Sequence, residues 1–173
     1  HNVATAAHLV GNGTSIRLCS LVADDLAGKI ILSSLEAGGL ETAAINTLKA
    51  NCDSPARTAQ YVAISDKNKE LVTAMADMSI IGSPSVDFAS WKNVIDKSKP
   101  KWVVVDANWH ESTMYQWIDA AKEAHAKVAF EPVSVAKSIR LFPPLSAAGG
   151  SSPSSLRLGV YPNNRVDIAT PNI

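Results

Sequence analysis

Three short polar groups in this sequence have the residue types and spacing to do chemistry: Asp24-Asp25, Asp106-Ala107-Asn108, and Glu131-Pro132-Val133-Ser134 followed by Lys137. Each comes directly after an apolar, β-rich run, and in sheets wound on both faces ligands collect beyond the carboxyl ends of such runs. Adjacent carboxylates can act as an acid–base pair, although a carboxylate at a helix start more often accepts hydrogen bonds from first-turn amides. Asn108 can recognise a hydroxyl or cap the helix behind it, and its spacing leaves both readings open. The Lys137 ammonium lies where it can meet a phosphate, or else it is an ordinary solvated charge.

Several other chemistries are disfavoured. His1, His8, His110 and His125 lack the spacing of a metal site. Ser134 has none of the glycines that flank a hydrolase nucleophile, and neither GxxxxGK[ST] nor GxGxxG is present to cradle phosphates. Lysine plus arginine equals aspartate plus glutamate at 16 each, so no charge footprint points to nucleic acid or an anionic membrane, and a small-molecule partner is expected. Cys19 and Cys52 stand apart from any CxxC or Cys/His cluster and read as a buried thiol and a loop thiol in a reducing compartment. No apolar run approaches the roughly 20 residues that span a bilayer, and the chain reads as cytoplasmic.

The elements that must position these groups follow from periodicity. A short helix over Asn2 to Leu9 stops at Gly11-Asn12-Gly13, and Ser15 to Val22 reads as a buried strand. Leu26 to Ala37 reads as a helix with Ile30, Ile31 and Leu35 on one side, ended by Gly38-Gly39, whereas Asn46 to Ser54 has no clear pattern. Thr58 to Ser65 and Glu70 to Met78 flank the polar turn Asp66-Lys67-Asn68-Lys69 and predict a hairpin.

Further on, Phe88 to Lys97 predicts a helix and Lys101 to Asp106 a strand covered on both faces. Glu111 to His125 predicts a helix with Met114, Trp117, Ile118 and Ala121 inward, and Lys127 to Phe130 a further strand. The segment 141–164, rich in Pro, Ser, Gly and Ala, reads as a flexible insertion, with short strands expected at Arg157 to Val160 and Val166 to Ala169. The β-α-β order implies an α/β, doubly wound parallel sheet, and 173 residues are enough for one domain with a core.

In order along the chain, several segments resemble the ribokinase-like (PfkB) carbohydrate kinases. His1-Asn2-Val3-Ala4 is similar to the end of the family's GGxxxN-x-A motif, without the glycine pair. Leu21 to Gly28 resembles VGDDxxG, with Ala23 in place of a glycine, and Ala169-Thr170-Pro171-Asn172 resembles the start of TPNxxE. Within the family, Met75-Ala76-Asp77-Met78-Ser79-Ile80, Val105-Asp106-Ala107-Asn108 and Phe130 to Lys137 are similar to stretches of pseudouridine kinases.

The resemblance implies a ribokinase-like fold with a small β lid over residues 57–80, present as a partial domain over 1–173. It implies an ATP-dependent, Mg2+-requiring kinase acting on the 5′-hydroxyl of a nucleoside, pseudouridine first. The alternatives are a ribose- or fructose-type sugar kinase, or a non-catalytic binding module. Asn2, Thr58, Asp77 and Asn108 become candidates for holding the substrate, and Lys137 and Asn172 for meeting ATP phosphates. The family's catalytic aspartate and anion hole would fall beyond Ile173 and the first sugar-binding strand before His1, so a fragment inactive by itself is expected. A homodimer through the lid and fusion to a pseudouridine-phosphate glycosidase domain are the partner expectations.

Overall fold

The computed structural model describes residues 2–11, 13–49, 56–84, 86–141 and 166–170. The expected strand at Arg157 to Val160, nearly all of the 141–164 insertion, and Asn172 lie outside the described residues. The chain divides into two compact units, residues 1–81 and 82–173.

In the first unit, helix α1 (Asn2–Val10) precedes strand β1 (Ser20–Ala23), helix α2 (Leu26–Ala37) and strand β2 (Ile45–Leu48). The strands pair in parallel from Ser20 opposite Ile45 to Ala23 opposite Leu48, with α2 as the crossover between them. The ladder begins at Ser20 rather than Ser15 because β2 offers only these partners. Upstream, Ile16 and Leu18 still pack on the core of Val22, Leu35, Leu40 and Ile45, while Arg17 between them pairs with Glu41 outside.

Helix α2 starts at Asp25, whose carboxylate accepts the Gly28 N–H, as a capping residue should. It ends in a Schellman arrangement: Gly39 (φ +79°) donates to the Glu36 carbonyl and Leu40 to that of Leu35, which brings the Leu35 and Leu40 side chains into one core. The buried face of α2 is therefore Gly28 and Leu35, with Leu32 partly covered, spaced at helical intervals. Ile30 and Ile31, grouped by sequence with Leu35 on one side, are exposed: Ile30, at 59%, lies five residues from Leu35 on another side of the helix, while Ile31, at 37%, shares the side of Leu35 and stays near its uncovered margin.

Strands β3 (Gln60–Ser65) and β4 (Leu71–Asp77) form the expected antiparallel hairpin, from Gln60 opposite Asp77, with a register shift at Ile64/Ser65. Its turn is held by Asp66 Oδ1, which accepts the N–H groups of Asn68 and Glu70. Every residue of both strands is exposed, and a lone two-stranded hairpin is marginal in water.

The second unit is a parallel sheet in the order β5 (Trp102–Asp106), β6 (Lys127–Glu131), β7 (Ile168–Ala169). Helix α4 (Glu111–Glu123) packs on β5 and β6, and helix α3 (Ala89–Ser98) packs on α4. The expected inward residues Met114, Trp117, Ile118 and Ala121 are all buried, beside Trp91, Val105, Val128 and Phe130. Each such side chain contributes about 1.5–3 kcal/mol through burial. Phe88, Trp91, Trp109 and Trp117 form a ring cluster, with Phe88 and Trp117 edge to face at 4.8 Å.

On the other sheet face Trp102, Val104 and Ile168 are exposed, and the Lys127 ammonium lies over the Trp102 ring at 5.3 Å. Among the described residues no helix is long and apolar enough to cross a membrane.

Candidate functional site

The carboxyl ends of β5 and β6 bring two of the expected site residues together. Past β5 the chain turns at once: Asp106 Oδ1 accepts the Asn108 N–H at 2.7 Å, and the Ala107 N–H donates to the Glu131 carbonyl at the end of β6. Ala107 and Trp109 are buried on either side of Asn108. The small and the aromatic residue anchor the turn and leave the asparagine between them at the rim. His110 then caps α4, its Nδ1 accepting the Ser112 N–H.

Past β6, Glu131 is braced at both oxygens, by the Val133 N–H and by the hydroxyl of Thr170 just after β7. The Ser134 N–H donates to the Pro132 carbonyl at 2.6 Å, closing a three-residue γ-turn around Val133, whose φ is +62°. A β-branched residue there is strained, and such strain persists only where surrounding contacts impose it. The turn delivers Ser134 as the cap of a single helical turn, α5 (Val135–Ser138), which carries Lys137.

The Lys137 ammonium donates to Asn108 Oδ1. That bond settles the orientation of the amide. An ammonium has no acceptor, so Asn108 must turn its carbonyl to Lys137 and its NH₂ away. The pair then presents the Asn108 amide hydrogens and the remaining ammonium hydrogens as donors beside the second lone pair of Asn108 Oδ1, so its charge suits a phosphate oxygen while a hydroxyl could also bond there.

Arg140, which sequence reasoning did not single out, closes the site from behind. Its guanidinium donates to the carbonyls of Ala107 and Trp109, both at 3.1 Å, and the Tyr115 hydroxyl donates to the Arg140 carbonyl at 2.7 Å. The available signal was position: Arg140 follows Lys137 by three residues, so one helical turn aims both at the same loop.

The first unit places the other candidates. Thr58 is buried, its hydroxyl donating to Asp25 Oδ1 at 2.7 Å and accepting the Ala23 N–H at 2.9 Å, while its own N–H donates to Asp25 Oδ2. Gly28 is required beside it, since a Cβ there would strike the Ala23 carbonyl oxygen and crowd Thr58 Oγ1. The spacing of Asp25 and Gly28 is thus a structural clip that joins β1, α2 and the root of the hairpin. The Thr58 bonds, and then that from Gly28, hold the Asp25 carboxyl below its usual range. Asp77 closes β4 at the same root, accepting the Ser79 hydroxyl and N–H, and these bonds with nearby Arg57 lower its pKa as well. Asn2 is the exposed first residue of α1. Cys19 is a free thiol, pushed up to about 11 by burial. Among the described residues no three His, Cys, Asp or Glu side chains gather as metal ligands.

Known proteins share this arrangement of elements. The chain aligns with a carbohydrate kinase from Agrobacterium tumefaciens over 75% of its own length and 40% of that protein, with TM-score 0.60 and 23% identity. It aligns with the ribokinase of Thermotoga maritima over 76% and 39%, with TM-score 0.58 and 13% identity. The fold is ribokinase-like. The ribokinase-like chain also matches a Burkholderia thailandensis nucleoside kinase, solved in complex with inosine, at TM-score 0.51 and 16% identity, covering 76% of this chain and 38% of that one.

In sequence it is 30% identical over 152 residues to a pseudouridine-metabolizing bifunctional protein of Schizosaccharomyces pombe, an alignment that takes in 86% of this chain and 18% of that protein. It therefore spans less than a fifth of its curated relative and about two fifths of the solved structures. No family model matches the chain.

Proposed function

We propose that this chain is part of an ATP-dependent kinase that phosphorylates the 5′-hydroxyl of a nucleoside, pseudouridine first among them. The observation that carries this reading is the Lys137–Asn108 pair, an ammonium and a side-chain amide brought together at the carboxyl ends of two parallel strands. Phosphoryl transfer relies on positioned donors that hold and neutralise phosphate oxygens, and the ammonium with the amide hydrogens can supply such donors. In this reading Lys137 and Asn108 hold phosphate of ATP, delivered as its magnesium complex, and Asn172 remains a sequence-based candidate for ATP phosphate.

Substrate recognition falls to Asn2, Asp77 and the hairpin, which would close over the nucleoside as a lid and expose its outer apolar face to a second copy. The sequence likeness to a pseudouridine-metabolizing protein supports the nucleoside, and that relative's greater length is compatible with a fused second activity. A sugar kinase is the second reading, supported by higher fold similarity to the carbohydrate kinase and ribokinase than to the nucleoside kinase. A cytoplasmic site of action is part of the same proposal.

The test is ATP-dependent phosphorylation of pseudouridine, uridine and ribose by the whole protein, with and without Lys137→Met. Losing a charge-assisted hydrogen bond of about 1.5–3 kcal/mol raises the KM for ATP by about 10- to 150-fold. Turnover of pseudouridine with that rise supports the reading. Turnover of ribose alone transfers it to the sugar kinase, and turnover of none removes the catalytic role.

A further inference from the structure

Lys137 meets Asn108 across the two loops that follow the paired strands β5 and β6, which the Ala107 N–H to Glu131 carbonyl bond joins at their start. The Asn108 loop has one buried residue on each side, and its backbone polar groups need partners. Arg140 supplies them: the carbonyls immediately before and after Asn108 both accept from Arg140 Nη1. Arg140 is itself anchored through its carbonyl by Tyr115 on α4, and its place in the chain is set by the γ-turn at Val133 that launches α5. One guanidinium thus ties the lysine-bearing turn to the backbone of the asparagine-bearing loop.

We propose that Arg140 is a positioning residue for the anion-binding pair, holding Asn108 so that its amide hydrogens and the Lys137 ammonium point at the same phosphate oxygen. The inference deepens the kinase reading and rests on it. The planar guanidinium suits the task because the two hydrogens of Nη1 diverge in a fixed plane toward the two carbonyls that flank Asn108, with less loss of freedom than an ammonium. Nη1 is engaged by the two loop carbonyls, and in this proposal the effect of Arg140 on ATP passes through Asn108 and Lys137.

The experiment measures KM for ATP and for nucleoside in the whole protein carrying Arg140→Met, Arg140→Lys, Lys137→Met, and the Arg140→Met/Lys137→Met pair. The expected result is a rise in ATP KM on the order of 10-fold for Arg140→Met, as for misplacement of a positioned group. The nucleoside KM stays unchanged, Arg140→Lys recovers part of the loss, and Arg140→Met has a smaller effect once Lys137 is gone than in its presence. Effects that simply add in the double variant overturn the inference, because a purely structural arginine acts independently of Lys137. An ATP KM that moves with Lys137→Met and not with either Arg140 variant overturns it while leaving the anion site standing. Indifference to Lys137→Met removes the anion site and this inference with it. If Arg140→Met fails to fold, Arg140→Lys alone decides, since an unchanged ATP KM there with Lys137 essential also overturns the positioning role.

Discussion

The Oγ1 of Thr58 stands 2.7 Å from Oδ1 of Asp25, a residue 33 positions earlier, and the Thr58 N–H reaches the other oxygen of the same carboxylate at 2.9 Å. The hydroxyl also satisfies the Ala23 N–H at the end of β1. One threonine therefore fixes where the hairpin leaves the first sheet. Thr58→Val keeps the volume and strands a buried N–H, so we expect a loss of about 1–3 kcal/mol, read as a lower urea midpoint with unchanged slope.

Acid should expose the same clip. The Asp25 pKa is lowered by the two Thr58 bonds and by Gly28. Unfolding returns it to an ordinary carboxylate value near 3.9, so the unfolded chain binds the proton more readily. The stabilisation is complete above that value and lost as pH falls through the lower folded pKa. Asp25→Asn should be less stable than the parent at neutral pH, with the gap closing below about pH 4; denaturant titrations at pH 7 and pH 3 read it. A gap that is the same at both values would show that the carboxylate charge is irrelevant.

Gly28→Ala tests the packing rather than the charge. Alanine is the better helix former by about 1 kcal/mol, yet its Cβ would meet the Ala23 carbonyl. Overpacking of this kind costs about 1–3 kcal/mol, and we expect the net change in thermal midpoint to be downward.

Val133→Gly is expected to act in the opposite sense. Relief of a left-handed valine is worth about 1–2 kcal/mol against roughly 0.5–1 kcal/mol of added chain entropy in the unfolded state. The variant should be at least as stable as the parent, while Val133→Ala, which retains a Cβ, should gain nothing.

Much of this architecture could be read from residue order. The capping carboxylate at Asp25, the glycine end of α2, the hairpin and the inward stripe of α4 all express local rules that tertiary contacts reinforce. Ile30 was misplaced because hydrophobicity alone does not say which stripe the sheet will cover, and Leu35 with its Schellman partner Leu40 decides that. The site was legible as a set of strand ends, with Lys137 and Asn108 both in view. Their contact depends on the positive φ at Val133 and on a guanidinium reaching back over some thirty residues, to Ala107 and Trp109. Neither signal is local, and a valine in a γ-turn runs against the propensity that a sequence reader applies.

The ring cluster behind the Asn108 loop gives the molecule an optical sensor of its own. Trp109 belongs both to that cluster and to the loop, and its carbonyl is held by the same guanidinium that steadies Asn108. Its neighbours Trp91 and Trp117 lie within 5.2 and 6.3 Å, near enough for their excited states to couple. If a ligand does bind the Lys137–Asn108 pair as proposed and shifts the loop, the expected readout is a change in intrinsic emission and near-ultraviolet dichroism, measurable without a label.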